Sequence, residues 1–262
     1  MEYKKTGTRE WAEVNKNHCL GCENDCRYCY ARADAMRFKR IGGLGDWANQ
    51  TLNEKRFNEK PRKVAGRIMY PSAHDIVPKF LNESIQYLER WLKVGNEILI
   101  VSKPNPICIR KIVDELGDYK DQMVFRFTIG SSDNEVLKFW ERNAPTFHER
   151  HYCLALAYDN GFKTSVSCEP YLDNNIVPLV RILMPYVTDT IWVGKMNRIK
   201  QRVDLSDVPE GMNNQFVRLV MKSQTDDFIR QFVYPMLKDL PKVRWKESIK
   251  KVMGIAESEK VG

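Results

Sequence analysis

Residues 17–30 read Asn17-His18-Cys19-Leu20-Gly21-Cys22-Glu23-Asn24-Asp25-Cys26-Arg27-Tyr28-Cys29-Tyr30. Four of the chain's seven cysteines fall here, while Cys108, Cys153 and Cys168 are scattered. Thiols set this closely point to metal or redox chemistry, and an odd total argues against a complete disulfide framework. Cys22, Cys26 and Cys29 have the spacing Cys-x3-Cys-x2-Cys. A compact loop with those intervals can place three thiolates around one face of a cubane iron–sulfur cluster. Three ligands leave the fourth iron open to a substrate or cofactor. Two rival readings use Cys19. Cys19-x2-Cys22 and Cys26-x2-Cys29 make a four-thiolate zinc pattern, but with a gap far shorter than the roughly 15–20 residues of a zinc ribbon. A ferredoxin-like cluster with Cys19 as fourth ligand would transfer electrons without an open iron.

Outward from this loop, β-rich runs alternate with helix-like stretches. Strands are expected over 11–14, 67–70, 97–101, 123–129, 164–167 and 190–193. Helices are expected over 30–40, 82–94, 107–116, 135–142, 148–160 and 176–186; in the second of these, Ile85, Leu88 and Leu92 share one face. Polar residues gather just after each strand. The pattern is that of α/β architecture with a parallel sheet or barrel, in which ligands bind at the carboxyl ends of the strands. Residues 1–205 form the barrel unit in this reading. Residues 206–262 form an α-helical C-terminal extension without a strand.

The three-cysteine loop, with aromatic Tyr28 before the last cysteine, resembles the signature of the radical S-adenosylmethionine (SAM) superfamily. Within it, the cluster loop Gly21–Arg32 is similar to that of the spore photoproduct lyase-like branch and its phage and bacterial relatives. So are Ser72–Pro78, Val101-Ser102-Lys103-Pro104, Ser167-Cys168-Glu169-Pro170 and Gly194-Lys195-Met196-Asn197, each just after a successive expected strand. The resemblance runs from about residue 11 to 198. It implies a partial (β/α)6 TIM-type barrel. It also implies a [4Fe-4S] cluster on Cys22, Cys26 and Cys29, SAM as cofactor, and an electron donor such as flavodoxin or ferredoxin. Tyr28, Asp75, Lys103, Ser131 and Glu169 become the candidate SAM contacts. The family's Gly-Gly-Glu stretch is missing, and His74 and Asp75 stand in its place. Cys168, expected at a strand end facing the cavity, becomes a candidate hydrogen donor in catalysis, against the alternative of a small core thiol.

Composition sets the outer bounds. At 43% hydrophobic and 29% charged, the 262 residues suit a globular protein and exclude wholesale disorder. No apolar run approaches the ~20 residues of a membrane span, and Met-Glu-Tyr-Lys-Lys at the start has no signal-peptide core, so a cytoplasmic protein is expected. A net charge of +8 is compatible with a polyanionic partner. Basic residues cluster at Arg37, Lys39 and Arg40, at Arg198, Lys200 and Arg202, and over 238–251 around Trp245. Joined to the resemblance, they make a nucleic acid base the expected substrate, DNA favoured, for lesion repair or for base modification of the phage hypermodification kind. A small molecule or peptide, or a metal-stabilised nucleic-acid-binding module without catalysis, are the competing classes.

Overall fold

A computed structural model describes residues 7–206, 208 and 213–255. The opening Met-Glu-Tyr-Lys-Lys and most of the expected unit boundary after 205 lie outside the described residues. Nine strands occur among those described: β1 (Val14–Asn15), β2 (Cys19–Leu20), β3 (Thr51–Leu52), β4 (Arg67–Tyr70), β5 (Glu97–Ser102), β6 (Met123–Thr128), β7 (Lys163–Cys168), β8 (Ile191–Val193) and β9 (Val243–Trp245). Seven form one parallel sheet in the order β1-β4-β5-β6-β7-β8-β9; β2 and β3 pair separately, antiparallel. Parallel pairing of strands that are neighbours in sequence demands a crossover. The helices Leu81–Lys93, Pro106–Glu115, Phe147–Asp159 and Ile176–Leu183 provide it. This is the expected α/β parallel-barrel architecture.

Strand alternation sorts the sheet into two faces. Register aligns Ile68 with Ile98, Ile100 with Phe125, Phe127 with Val166, and Cys168 with Val193. All of these belong to the core packed under the helices. The helix Leu81–Lys93 adds Ile85, Leu88, Trp91 and Leu92 to that core. Each such side chain contributes about 1.5–3 kcal/mol on burial. The opposite, concave row carries Leu99, Val124, Arg126, Ser165 and Trp192.

Two expectations are corrected. Residues 11–14 do not form a strand together; β1 begins only at Val14. Trp11 follows a short 3-10 turn (Gly7–Glu10), and its ring lies on the concave face, 5.9 Å from that of Trp192 and 4.8 Å from the Arg126 guanidinium. Its apolar bulk fills the barrel rather than extending a strand. The tail also contains a strand. β9 hydrogen-bonds beside β8, with Ile191 opposite Val243 and Val193 opposite Trp245. Val243 is a core residue, so the segment is drawn into the sheet by burial as well as pairing.

Candidate active site

The cysteine loop begins at Gly21, whose φ of +82° turns the chain where an added Cβ would come within 2.7 Å of the Trp47 carbonyl oxygen. Only glycine takes this turn without strain. Trp47 in turn packs with Cys22, Ala31 and Ala35 into a small second core beneath the loop. The loop ends at Cys29, the N-cap of the helix Tyr30–Arg37, whose Sγ accepts the Arg32 N–H at 3.5 Å. A helix N-terminus favours a thiolate there. Cys22 Sγ accepts the Asp75 N–H at 3.4 Å. Burial pushes the thiols of Cys22, Cys26 and Cys29 above the usual cysteine range. The protein alone thus holds them protonated, and a metal would displace the protons.

Asp75, in the turn after β4, is the hub. Its carboxylate accepts from Asn24 Nδ2 at 2.8 Å, Ser102 Oγ at 3.0 Å and the Lys103 N–H at 2.7 Å. Lys103 Nζ lies 3.7 Å away. Burial alone would raise the Asp75 pKa, but the Lys103 ammonium and these donors outweigh it and hold the carboxyl below its usual range. Burial likewise works against the Lys103 charge; the Asp75 carboxylate outweighs it and raises Lys103 well above its usual value. Lys103 Nζ also stands 5.8 Å from the Tyr28 ring centre. The Tyr28 hydroxyl donates to Glu141, itself ion-paired to buried Arg150. Lys103 and Asn24, with Glu23, Ile76, Asn105 and Asn143, line a cleft of about 420 Å³ beside the loop. That size suits a small ligand.

Cys22, Cys26, Cys29, Tyr28, Asp75 and Lys103 are therefore brought together. The other candidates sit elsewhere along the same strand-end rim. Ser131 donates to Asp173 and accepts the Asp133 N–H at 2.9 Å; it is fully buried. Glu169 meets Lys246 at 3.4 Å, and burial raises its pKa despite that ammonium. Cys168 is fully buried and shares the helix-facing row of Val166, the opposite face from the expected cavity. Cys19 lies beside His18 and His74. Sequence reasoning does not single out Asn24, Ser102 or Glu141. The first two carry a signal in their places, inside the cysteine loop and beside Lys103; Glu141 carries none.

Lys246, within the basic cluster over 238–251 offered as a nucleic acid contact, is corrected to a buried cation. It is 2% exposed, 3.0 Å from Glu10, and lies over the Trp11 ring. Trp245 is half-buried against Tyr234. Arg37, Phe38, Lys39 and Arg40 instead form an exposed basic and aromatic patch at the end of the helix that leaves the cluster loop. No helix among the described residues is long and apolar enough to cross a membrane.

No family model matches the chain. Over 172 residues it is 27% identical to the uncharacterized protein ORF301 of Acidianus two-tailed virus, covering 62% of this chain and 56% of the viral one. The chain thus spans just over half the length of that relative. Among solved structures, it is similar to a double mutant of spore photoproduct lyase with bound AdoMet and dinucleoside spore photoproduct. The TM-score is 0.51 at 17% identity, over 89% of this chain and 76% of that one. A single mutant of the same lyase gives a TM-score of 0.52 at 16% identity, over 94% and 79%. The chain has the fold of spore photoproduct lyase.

Proposed function

We propose that the chain is a radical SAM enzyme acting on a nucleic acid base, with DNA the favoured substrate. The observation that carries this reading is the gathering of Cys22, Cys26 and Cys29 with the Asp75–Lys103 pair at the strand-end rim of a parallel half-barrel. The residues fit an iron–sulfur cluster. The three thiols do not form a tight single-ion group among the described residues, as expected of ligands that reach separate irons. The four-cysteine zinc alternative requires Cys19 to join them, and Cys19 sits beside His18 and His74 instead.

When bound, a [4Fe-4S] cluster and SAM would supply a 5′-deoxyadenosyl radical able to abstract hydrogen from a substrate. Cys22, Cys26 and Cys29 would hold the cluster. Asp75 and Lys103 present a carboxylate and an ammonium that suit the amino and carboxylate groups of SAM, while Tyr28 and the cleft suit its adenine. A flavodoxin or ferredoxin is the proposed electron donor. Nucleic acid is supported by the net charge of +8 and by the Arg37–Arg40 patch, which opens close to the cluster loop. The lyase of this fold was solved with a dinucleoside photoproduct, which supports a DNA lesion among the substrates to try.

The test is anaerobic reconstitution followed by dithionite reduction with SAM, with and without ultraviolet-irradiated DNA. Formation of 5′-deoxyadenosine, together with a mass change in the DNA, is the expected result. A full cluster that never yields 5′-deoxyadenosine with any substrate would replace this reading with electron transfer. Cleavage of SAM without any effect of DNA would move the substrate to a small molecule or peptide.

A further inference from the structure

Cys19 lies beside two histidines brought together from distant parts of the chain. His18 directly precedes it, and His74 lies in the turn after β4. One ligand atom from each of His18, Cys19 and His74 lies within 4.8 Å of the others. All three residues are buried, at 0, 2 and 6% exposure. The two imidazoles meet edge to face, their centres 5.2 Å apart.

Hydrogen bonds fix the outer nitrogen of each ring. His74 Nδ1 is 3.0 Å from the Asp75 carbonyl oxygen. A carbonyl only accepts, so the proton sits on Nδ1 and Nε2 keeps its lone pair. That Nε2 has only the long 3.4 Å approach of the Cys19 N–H. His18 Nδ1 is 3.0 Å from the Tyr70 hydroxyl. The His18 ring lies beside Tyr70 and Tyr87, near parallel to both, at 5.6 and 5.3 Å, and those two rings are 5.3 Å from each other. Its Nε2 is buried without a hydrogen-bond partner. Buried polar atoms are rarely left so. Two imidazoles each held through Nδ1 and grouped with a thiol match the arrangement of metal-ligating histidines.

We propose that His18, Cys19 and His74 hold one zinc ion, separate from the iron–sulfur cluster. Two imidazoles and one thiolate are a zinc donor set, and water would complete its four-coordination. The ion would tie β2 to the turn after β4, the turn that sets Asp75 against Cys22. Because the site is enclosed, its role is structural, and the metal would enter as the chain folds.

The test separates this site from the cluster by its readout. A chain carrying Cys22→Ser, Cys26→Ser and Cys29→Ser together cannot build the cluster. It should retain one zinc per chain by elemental analysis. Exchange with cobalt(II) should give a tetrahedral spectrum with a thiolate-to-cobalt charge-transfer band. Adding Cys19→Ser should abolish that band. Adding His74→Gln should weaken cobalt binding by more than the roughly 10–100-fold that follows loss of an outer hydrogen-bond partner. In the otherwise native, iron-loaded chain, Cys19→Ser should lose zinc and keep iron, which serves as the check should the triple variant fold poorly. Absence of zinc from the native chain, or survival of the charge-transfer band in the Cys19→Ser protein, overturns the proposal. Loss of iron from the native chain on Cys19→Ser alone would make Cys19 a cluster ligand. Iron content and SAM cleavage report on the enzyme reading independently.

Discussion

Asp75 collects donors from two segments, Asn24 in the cluster loop and Ser102–Lys103 at the end of β5. Removing one partner of a buried charge pair strands the other without water or counter-charge. Asp75→Ala should therefore destabilise the fold by about 3–5 kcal/mol, read as a lower urea midpoint with unchanged slope. Asp75→Asn keeps the shape and part of the hydrogen bonding, so it should cost less while still weakening SAM binding. Cys168 gives a contrasting expectation. On the helix-facing row it is a packing group, so Cys168→Ala should cost about 1 kcal/mol and leave both iron content and product distribution unchanged. A changed product in that variant would restore the hydrogen-donor role. The position of Cys168 at a strand end was legible in the sequence. Its face was not, because a single-residue difference in parity exchanges the two sides of a strand.

Among the elements, the six strands read from the sequence are β-rich and closed by polar turns; five of them match the observed strands to within a residue or two at each end. β9 escaped because three residues, Val243-Arg244-Trp245, are too few to display alternation, and Pro241 precedes them. The cluster loop was legible because its ligands are close in sequence. The His18–Cys19–His74 group was not, since folding alone brings residue 74 to residue 19. The segment after the helix Ile199–Arg202 is tied back to the barrel at Asp204. Its carboxylate meets Arg142 at 3.0 Å, Arg32 at 3.3 Å and the Ser206 hydroxyl at 2.7 Å. Partial burial would raise its pKa, but the Ser206 hydroxyl and N–H and the two guanidiniums outweigh that and lower it. A carboxyl with a depressed folded pKa stabilises above its unfolded value near 3.9, and the contribution is lost as pH falls through the folded pKa. Asp204→Asn should therefore lower stability at pH 7, and the difference from wild type should shrink in acid below about pH 4. Urea midpoints measured across that range would show it. A constant difference would mean that the carboxylate charge plays no part.

Over the whole molecule, the net charge of +8 is spread over the surface, so which basic residues meet a polyanion is decided by exposure. Reversing Arg37, Lys39 and Arg40 together should weaken DNA binding. It should also flatten its dependence on salt, by about 0.9 in log–log slope for each phosphate no longer neutralised. Iron content should not change, and a salt titration by fluorescence anisotropy would read the slope. Lys246 belongs to a different class of cation. Lys246→Met leaves half-buried Glu10 and Glu169 without their shared counter-charge and should cost about 2–3 kcal/mol, without touching that salt slope. The same ammonium donates to the Gly7 carbonyl at 3.0 Å, so it fastens the first described turn to the residue just after the last strand. During synthesis, then, Trp11 has emerged from the ribosome long before its clasp exists. Every other layer of the half-barrel can form in order as the chain lengthens. The concave wall cannot close until residue 246 is free of the exit tunnel. Until then the nascent chain holds a tryptophan covered only by Trp192 and Arg126, and two acids without the Lys246 ammonium, and it is in this interval that a chaperone would have most to shield.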